Sequence, residues 1–548
     1  MKLERFFEKF EKFADAPNAV ERMRELVLQL AVQGRLVAQS SDAEPANTLA
    51  VKISNDRAAF VKARSLARQR EFAPVAADQC PFDLPSGWLW TRLGNLCRVQ
   101  AGFAFASAAF IQGESGVPMI RIRDITKDHT QVNYVGEYRE EFLVDAGDYL
   151  VGMDGSFTVA KWRGPRALLN QRVSRLQWYS QHLEPSFFAI ALQYRLSELQ
   201  GTKAYTTVDH LSSGQIENAV VPLPPLAEQK CIVAKVDELM ALCDRLEAQQ
   251  QERDTRHAAL ARASLARFAE APTPANLDFL FHQSYTIPPA DLRKSILTLA
   301  VQGKLVPQDP NDELADELIA RIAAYRRAKK AKAYEPVTTE EAPYEVPFSW
   351  SWVRLGNISH TSDSGWSPQC LPEARSGTDW GVLKVSAVSW GVFKPEENKA
   401  LPPGMTARPD CEVKAGDFLL SRANTKELVA RSVVVGQTPP RLMMSDKIVR
   451  FTFPDEIEKA FVNLANSSEP ARDYYARNAS GTSSSMKNIG REVMCNLPIP
   501  LPPVAEQRSI VAKVDQLMAL VDQLETQLAA SRASAEKLMQ AVVAELTS

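Results

Sequence analysis

The sequence predicts an α+β protein in which two mixed α/β domains are joined by two long antiparallel coiled-coil helices, related by an internal pseudo-twofold repeat. Two observations predict this class. Long segments of the chain occur twice in the same order, and each copy holds short β-rich runs followed by one long heptad pattern. A solenoid is built from many short units. Two long copies therefore indicate a pseudo-dimer.

The repeat is longest at residues 222–249, which read PLPPLAEQKCIVAKVDELMALCDRLEAQ and return at residues 500–527 as PLPPVAEQRSIVAKVDQLMALVDQLETQ. Two further pairs are LAVQGRLVAQ at 30–39 with LAVQGKLVPQ at 299–308, and LPSGWLWTRLGNL at 84–96 with VPFSWSWVRLGNI at 346–358. The order predicted in each copy is short helix, basic helix, Trp-rich opening, insert, proline pair and long helix.

Two pairs of short helices are predicted ahead of the inserts. Residues 18–37 and their copy at 291–306 carry apolar residues at helical spacing. Residues 49–70 and 314–332 alternate apolar with basic residues. The second pair is interpreted as charge-rich linker helices, with contact to DNA phosphate as the alternative.

The long helices begin after each proline pair and carry apolar residues at alternating spacings of four and three, which is a coiled-coil seam. The seam residues, which are also candidates for docking a partner, are Ile232, Val236, Leu239, Leu246, Ile510, Val514, Leu517 and Leu524. Continued to Phe268, the first helix is a rod of about 60 Å. Such a rod separates two domains by more than one turn of DNA, about 34 Å. A plain structural hairpin or a dimerisation seam is the alternative.

The inserts, residues 97–219 and 359–496, show almost no residue-by-residue likeness. Short β-rich runs alternate in both with Gly, Pro, Asn and Asp, which predicts mixed α/β heads with long polar loops. The clearest match is Gly147-Asp148 with Gly416-Asp417, each interpreted as a turn into a buried strand. Each strand is followed by a polar loop that contains cations. A repeated frame with different inserts indicates two related heads tuned differently.

Charge is distributed unevenly along a chain whose net charge is −2. The net value argues against indiscriminate nucleic-acid binding, but cations cluster in both inserts, including Arg175, Arg441 and Arg450. Arg, Lys, Asn and Gln are the side chains that pair with base edges in the major groove. The candidate DNA contacts are Lys161, Arg163, Arg166, Gln171, Arg172, Arg422, Asn424, Lys426, Arg431, Lys447 and Lys487. Solvated strand and loop charges are an equally open interpretation.

Composition is that of a globular protein of three or four domains, with 548 residues of which 45% are hydrophobic and 24% charged. No apolar run approaches the roughly 20 residues that span a bilayer. The opening residues, MKLERFFEKF, lack the apolar core of a signal peptide, so a cytoplasmic protein is expected. Seven scattered cysteines without a CxxC pair predict reduced thiols and no structural metal.

Motifs of catalysis are missing from the sequence. It contains no GxxxxGK[ST], no GxGxxG after a strand, no GxSxG and no HExxH. The Asn/Asp-Pro-Pro-aromatic tetrad of amino-methyltransferases is also absent, and six histidines are dispersed. The chain is therefore predicted to catalyse no reaction and to bind no cofactor itself.

Taken in order, GWxWxRLG, LAVQG[RK]LV and PLPPxAEQ followed by a heptad helix resemble the repeated conserved regions of the specificity subunit of Type I restriction-modification systems. The resemblance covers essentially the whole chain. It implies target-recognition domains at residues 80–223 and 343–501, each reading one half of a bipartite DNA sequence. It implies conserved helical regions at residues 1–79, 224–342 and 502–548, which set the unread spacer. The chain departs from the pattern at residues 346–350, where a differently shaped loop is expected.

The resemblance also implies partners. These are double-stranded DNA, two modification (methyltransferase) subunits docked on the helices and, in the full complex, two restriction (translocase/nuclease) subunits. S-adenosylmethionine, ATP and Mg are then expected on the partner subunits, where adenine methylation and cleavage reside. The alternative from another class is a duplicated coiled-coil scaffold that joins two protein-binding heads without DNA recognition.

Overall fold

The computed structural model describes residues 16–39, 44–66, 71–113, 115–155, 157–201, 211–282, 284–389, 391–481 and 487–547, apart from some single residues' side chains. Two compact units are present, one of Met1–Glu252 with Ala530–Ser548 and one of Arg253–Ala529. The opening decapeptide and the end of the predicted helix 49–70 lie outside the described residues. Each unit contains one copy of the repeat.

The first unit combines helices with two antiparallel sheets and a mixed sheet. Its helices are α1 (Ala19–Val32), α2 (Ala46–Ala63), α3 (Pro185–Gly201), α4 (Ser213–Asn218) and the start of α5 (Leu226–Glu270). Its strands are β1 (Leu89–Arg92), β2 (Cys97–Ala101), β3 (Phe110–Ile111), β4 (Val117–Ile120), β5 (Asn133–Tyr134), β6 (Leu143–Val144), β7 (Tyr149–Gly152), β8 (Val159–Lys161), β9 (Ala167–Leu169), β10 (Val173–Trp178) and β11 (Val220–Leu223). The sheet orders are β1-β11, β2-β10-β7-β8 and β3-β5-β4-β9-β6.

The second unit has the same plan. Its helices are the end of α5, then α6 (Pro274–Leu280), α7 (Pro289–Val301), α8 (Ala315–Ala328), α9 (Leu355–Ile358), α10 (Lys459–Ser467), α11 (Glu469–Asn478), α12 (Arg491–Cys495) and most of α13 (Val504–Thr547). Its strands are β12 (Ser351–Arg354), β13 (Thr361–Ser364), β14 (Gly381–Leu383), β15 (Asn398–Ala400), β16 (Phe418–Ser421), β17 (Ala423–Asn424), β18 (Ser432–Val434), β19 (Leu442–Met443), β20 (Ile448–Thr452), β21 (Lys487–Asn488) and β22 (Pro498–Leu501).

The two heads share one topology although their sequences differ. In the second head the orders are β12-β22, β13-β20-β16-β18 and β15-β14-β19, with β17 paired to β21. A single parallel pairing recurs in each mixed sheet, β4 with β9 in the first head and β14 with β19 in the second. The predicted mixed α/β heads are therefore confirmed, and the unlike inserts are two versions of one fold.

A buried arginine organises the first head. Arg175, on β10, donates from Nη1 to the carbonyl of Leu143 at 2.6 Å and to Asp148 at 3.2 Å. Its Nη2 donates to Gln100 at 2.7 Å and to the carbonyl of Glu141 at 3.0 Å. Charge-assisted bonds of this kind are the strong ones in proteins. The guanidinium thus ties the turn before β7 to the central sheet.

The second head repeats this arginine network. Arg450, on β20, donates to the carbonyl of Glu412 at 2.8 Å, to Asp417 at 3.2 Å and to the carbonyl of Asp410 at 2.7 Å. The predicted Gly-Asp turns are confirmed, because Gly147 and Gly416 have φ values of 103° and 81°. Their positive φ favours glycine. The aspartate after each glycine accepts a hydrogen bond from the buried arginine of its head. Arg175 and Arg450 are thus internal, although both belong to the cation clusters of the sequence.

Helices α1 and α7 are shorter than the predicted 18–37 and 291–306. Gly34 has a φ of 68°, its N–H donates to the carbonyl of Ala31 at 3.3 Å, and the Arg35 N–H donates to the carbonyl of Leu30 at 2.9 Å. This pair of bonds is a Schellman motif, which ends a helix. The second copy has the same bonds around Gly303. The basic helices likewise occupy a narrower span than predicted, as α2 and α8.

All three repeated motifs meet at one place in each unit, here called the helix junction. In the first unit the Trp88 indole donates to Glu228, in the first turn of α5, at 2.8 Å. Gly34 lies against the same ring, and a Cβ there would be 3.0 Å from Cζ2 and Cη2 of Trp88 and 2.5 Å from Pro85. The repetition of LAVQG, of the WxWxRLG opening and of AEQ is thus explained, because each motif supplies one wall of the junction.

The second helix junction is built the same way. The Trp350 indole donates to Glu506 at 2.8 Å, and a Cβ at Gly303 would lie 2.4 Å from Pro347. The expected change of loop at residues 346–350 is limited, because the Ala315 N–H donates to the carbonyl of Ser349 as that of Ala46 does to Gly87. The turn is conserved between the copies in its hydrogen bonds.

Glutamine fixes each long helix to its head. The fully buried side chain of Gln229 accepts from the N–H of Glu184 at 2.8 Å, just before α3. In the second unit Gln507 accepts from the N–H of Glu458 at 2.8 Å, just before α10. Both glutamines also donate to a proline carbonyl before their own helix. The AEQ motif therefore sets the direction in which the long helix leaves the head.

Glu506 gives the second helix junction a pH dependence. Burial raises the pKa of its carboxyl, and hydrogen bonds from Trp350 and Gln308 lower it by less. A carboxyl with a higher pKa in the folded state than in the unfolded state, where it is about 4.3, contributes fully to the stability of the folded state at pH values below the unfolded-state pKa. That contribution is lost as the pH rises through the folded-state pKa. The free energy of unfolding of the wild type is therefore expected to fall between about pH 4 and pH 7, and that of Glu506→Gln is expected to fall less.

Urea denaturation of the full chain across that pH range measures the effect. The matched control is Glu456→Gln, which changes an exposed carboxylate of the same unit and is expected to follow the wild-type curve. A Glu506→Gln curve parallel to the wild type would contradict the assignment.

The long helices bury their seams in two ways. In the first unit, early α5 residues pack with the head, and Cys243 shares a cluster with Ala535 and Val542 late in α13. In the second unit Ala261 and Phe268, late in α5, share a cluster with early α13 residues. This ordering is that of antiparallel helices, as predicted. The seam residues so buried are Ile232, Val236, Leu239, Ile510, Val514 and Leu517, with Leu246 and Leu524 partly buried.

Arginine clamps repeat at the same helices. Arg24 on α1 donates to Asp244 and Glu247 on α5, both at 2.7 Å. Arg293 on α7 bridges two carboxylates of α13 at 2.6 and 2.7 Å in the same way. Because the carboxylates are three residues apart, one guanidinium spans both. The clamps fix the register of short helix against long helix in each unit.

Candidate nucleic-acid interface

The first head has a polar surface where β7 ends. The Met153 N–H donates to the carbonyl of Arg172 at 3.0 Å, and the Leu211 N–H donates to the carbonyl of Met153 at 2.7 Å. Arg172 and Gln171 are exposed on this surface. The Arg172 guanidinium forms an ion pair with Asp154 at 2.5 Å. Asp154, Gln171 and Arg172 define the strand-end face of the first head.

The second head has the equivalent surface where β16 ends. The Arg422 N–H donates to the carbonyl of Lys447 at 2.8 Å, and the Ile489 N–H donates to the carbonyl of Arg422 at 2.8 Å. Strand pairing places Asn424 opposite Lys487. Four predicted residues, distant in sequence, therefore come together. Arg422, Asn424, Lys447 and Lys487 define the strand-end face of the second head.

Two further candidates border this face. Lys426 is exposed on the turn that follows Asn424. Arg431 is half-buried, and its Nε donates to the carbonyl of Glu427 at 3.3 Å. Its own carbonyl accepts from the Ser421 N–H at 2.9 Å, at the end of β16. Arg431 therefore closes the loop that carries Lys426.

Asn424 and Lys487 have partners within the head. The Asn424 amide donates to the hydroxyl of Ser389 at 2.8 Å, and its oxygen accepts from the Thr425 N–H at 2.8 Å. Lys487 donates to the carbonyl of Gly481 at 2.6 Å. An amide needs a free donor and a free acceptor to pair with adenine. The Asn424 amide has two N–H donors and two acceptor sites, so one of each remains beside its contacts with Ser389 and Thr425.

The other first-head candidates lie at the opposite end of β7. Strand β8 pairs antiparallel to β7 with Lys161 opposite Tyr149, so Lys161 and Arg163 are beside the start of the strand. Arg166 forms an ion pair with Asp145 at 3.4 Å. Strand β7 has four residues, so its two ends are about 13 Å apart. The cations that are close in sequence therefore form two separate groups.

Acceptors on the strand-end faces were missed by the sequence analysis, which searched for cations and amides. Asp446 neighbours Lys447 and accepts from Ser367. Partial burial raises its pKa, but hydrogen bonds from Ser367 and Lys447 outweigh that effect and hold the pKa below its ordinary value. An ionised carboxylate accepts from the cytosine amino group. Asp154 has the same chemistry in the first head.

Arginine stacked on an aromatic ring was also missed. Arg139 lies over Phe103 and Phe142, and Arg408 lies over Trp366. Arg139 is distant in sequence from Phe103, as Arg408 is from Trp366, and isolated arginines gave no signal. An Arg before a short turn, repeated at matching places in the two inserts, is the pattern that reveals them.

The described ranges hold neither a metal-ligand cluster nor a membrane-spanning helix. In them, no group of three or more His, Cys, Asp or Glu residues has the spacing to hold a metal ion. No helix there has the length and apolar character needed to cross a bilayer. The cysteines are free, with Cys97, Cys243, Cys411 and Cys495 buried, Cys80 and Cys370 half-buried and Cys231 exposed.

Comparison with known proteins gives consistent matches. A family model described as "Type I restriction modification DNA specificity domain" matches residues 85–253. The Type I restriction enzyme EcoEI specificity subunit of Escherichia coli is 32% identical over 547 residues, covering 93% of this chain and 91% of that protein. The EcoAI specificity subunit of Escherichia coli is 25% identical over 557 residues, covering 92% and 90%. A crystal structure of the HsdS subunit from Thermoanaerobacter tengcongensis covers 85% of this chain and 98% of its own, with 17% identity and a TM-score of 0.42.

Two heads of one topology and a DNA-specificity match define a DNA-recognition protein rather than a catalytic subunit. The chain belongs to the specificity subunits of Type I restriction enzymes. The predicted resemblance and fold class are confirmed. The alternative of a scaffold without DNA recognition finds no support.

Proposed function

We propose that each head reads one half of a bipartite duplex DNA target, with residues 80–223 and 343–501 as the two recognition domains. The observation that carries this proposal is that the two heads have the same architecture but different side chains on their strand-end faces. Both heads have the arginine network and end their central strand at a strand-end face. Gln171 and Arg172 of one face correspond to Asp446 and Lys447 of the other, because Arg172 and Lys447 make the same backbone bond.

The side chains of the two faces offer different hydrogen bonds to DNA. Arginine pairs with guanine through two bonds, glutamine with adenine, and carboxylate with the cytosine amino group. Gln171, Arg172 and Asp154 therefore offer the first half-site a mixed set of donors and acceptors. The second half-site meets Arg422, Lys447 and the carboxylate of Asp446. Two unlike sets support an asymmetric target.

The long helices serve the complex in two ways under this proposal. They set the length of DNA left unread between the half-sites, and their exposed surfaces dock two modification subunits. In the full complex, two restriction subunits join the modification subunits. The complex acts in the cytoplasm. S-adenosylmethionine, ATP and Mg belong to those partners, which supply methyl transfer and DNA cleavage. The seam residues support docking indirectly, because their burial fixes the helices that carry the docking surface.

Long-read methylation sequencing of the source genome, with and without this gene, tests the function. Loss of adenine methylation at one bipartite motif is expected on deletion, and complementation with the gene is expected to restore it. Unchanged methylation in a strain whose modification subunit is expressed and active would contradict the proposal.

A further inference from the structure

Each head carries an exposed arginine stacked on an aromatic ring. In the first head the guanidinium carbon of Arg139 lies 5.6 Å from the ring centre of Phe103 and 5.0 Å from that of Phe142. Phe103 is 42% exposed. In the second head Arg408 lies 4.6 Å from the ring centre of Trp366. Both arginines are exposed, and Arg139 forms an ion pair from Nη1 to the exposed carboxylate of Glu141 at 3.1 Å.

The arginines occupy equivalent places in the fold. The N–H of Phe142 donates to the carbonyl of Arg139 at 3.1 Å, and the N–H of Cys411 donates to the carbonyl of Arg408 at 3.0 Å. Each bond closes a short 3-10 turn, and a carbonyl within that turn accepts from the buried arginine of the network. The turn is therefore anchored to the central sheet in both heads.

The aromatic residues are equivalent too. The N–H of Phe103 donates to the carbonyl of Leu169 at 3.0 Å, and the N–H of Trp366 donates to the carbonyl of Met444 at 2.9 Å. Both accepting residues stand three positions before the basic residue of their strand-end face, Arg172 or Lys447. The stacked pair is thus continuous with that face in each head.

Conservation between the two heads separates this pair from its neighbours. Equivalent positions of the strand-end faces hold different residues, Gln171 and Arg172 in one head and Asp446 and Lys447 in the other, whereas an arginine stacked on an aromatic ring recurs in both heads. Base contacts carry sequence information, and phosphate contacts set position without it. A feature common to two heads that read different sequences fits the second task. Stacking holds the guanidinium plane, and the guanidinium carries N–H donors in the fork that matches a phosphate. Arg139 offers this fork to a phosphate by exchanging its ion pair with the exposed Glu141.

We propose that Arg139 on Phe103 and Arg408 on Trp366 are matched phosphate anchors that hold each head in register on the DNA backbone. This proposal rests on the proposed function. Neither pair discriminates among bases. The anchors fix where the strand-end face meets the groove, and the differing side chains of that face then select the sequence.

The experiment uses the full-length chain and a duplex that the wild-type protein recovers from a random-sequence duplex library. Arg139→Ala and Arg408→Ala are each expected to weaken binding about tenfold and to reduce the slope of log K against log salt by about 0.9. The double variant is expected to reduce it by about 1.8. The bases recovered in repeat selections with the variants are expected to match those of the wild type.

Two controls accompany the variants. Arg267→Ala removes an arginine stacked 4.9 Å over Phe279, outside both heads, and is expected to leave the salt slope unchanged. Arg139→Lys retains the charge without the planar fork and is expected to retain most of the slope. Circular dichroism melts identify any variant that fails to fold. Arg139→Gln, which removes the charge but keeps a polar side chain, then carries the test for the first head and is expected to reduce the slope by about 0.9.

The outcomes separate the two proposals. A wild-type protein that recovers no bipartite sequence contradicts the proposed function. A wild type that does so, with an unchanged salt slope in both alanine variants, shows that the arginines only cover their rings. Relaxed selection at one base position identifies a base reader, which also overturns the anchor.

Discussion

Arg450→Met is expected to abolish reading of the second half-site while the first half-site is still bound. The Arg450 side chain is 16% exposed and its partner Asp417 is 18% exposed, so removal leaves a carboxylate and two carbonyls without their donor. Breaking a pair of this kind costs about 3 kcal/mol. The turn before β16 then loses its tie to β20, and the strand-end face loses its support.

Urea denaturation of the full chain measures the stability loss, and selection from a random-sequence duplex library measures half-site reading. Lys399→Met is the matched control, because Lys399 is an exposed cation of the same head. Arg175→Met is expected to produce the mirror result and remove only the first half-site. Equal loss of both half-sites in either variant would contradict the independence of the two heads.

Lengthening both long helices by seven residues, after Gln249 and after Gln527, is expected to change the spacing between half-sites without changing the bases read. Seven residues add two turns and about 10 Å and retain the heptad phase. At about 3.4 Å per base pair, the preferred spacer grows by about three base pairs. Methylation sequencing of the variant reads the spacer directly.

The matched control inserts the same seven residues after Glu340, in an exposed segment outside the long helices. The spacer is expected to stay at its wild-type length there. An unchanged spacer in the doubly lengthened protein, with both half-sites still methylated, would show that the helices do not set the distance.

The frame of the fold was predictable because its signals are side chains. The heptad residues of α5 and α13 carry their own period, and the Gly147-Asp148 turn is marked by its residue types. The end of α1 at Gly34, which has a φ of 68°, was not predicted, because residues 18–37 were interpreted as one helix. Convergence of three repeated motifs at Trp88 was not predicted, since the contact between the indole and Glu228 joins residues 140 positions apart.

The common topology of the inserts was hidden because its network uses backbone acceptors. Arg175 and Arg450 bind mainly carbonyl groups, and a carbonyl leaves no trace in the identity of its residue. The spacing also varies, since Arg175 follows its aspartate by 27 residues and Arg450 follows its own by 33. Two heads therefore retain one fold while almost every side chain changes.

The candidate DNA contacts stay a prediction. Their closeness in sequence was in part a wrong guide to which of them lie on one surface. Lys161 and Arg172 are near in sequence, but antiparallel pairing of β8 with β7 places them at opposite ends of that strand. Arg422 and Lys487 are distant in sequence and lie on one surface. Strand pairing decides both outcomes, and pairing depends on contacts that a single sequence does not display.

Exchange of residues 359–496 for the corresponding insert of a related specificity subunit, followed by methylation sequencing, tests the central claim most directly. The exchange leaves the helix junctions and long helices intact. The account predicts that the half-site read by the second head changes, while the other half-site and the spacer length stay the same. A change in both half-sites, or in neither while methylation continues, would contradict it.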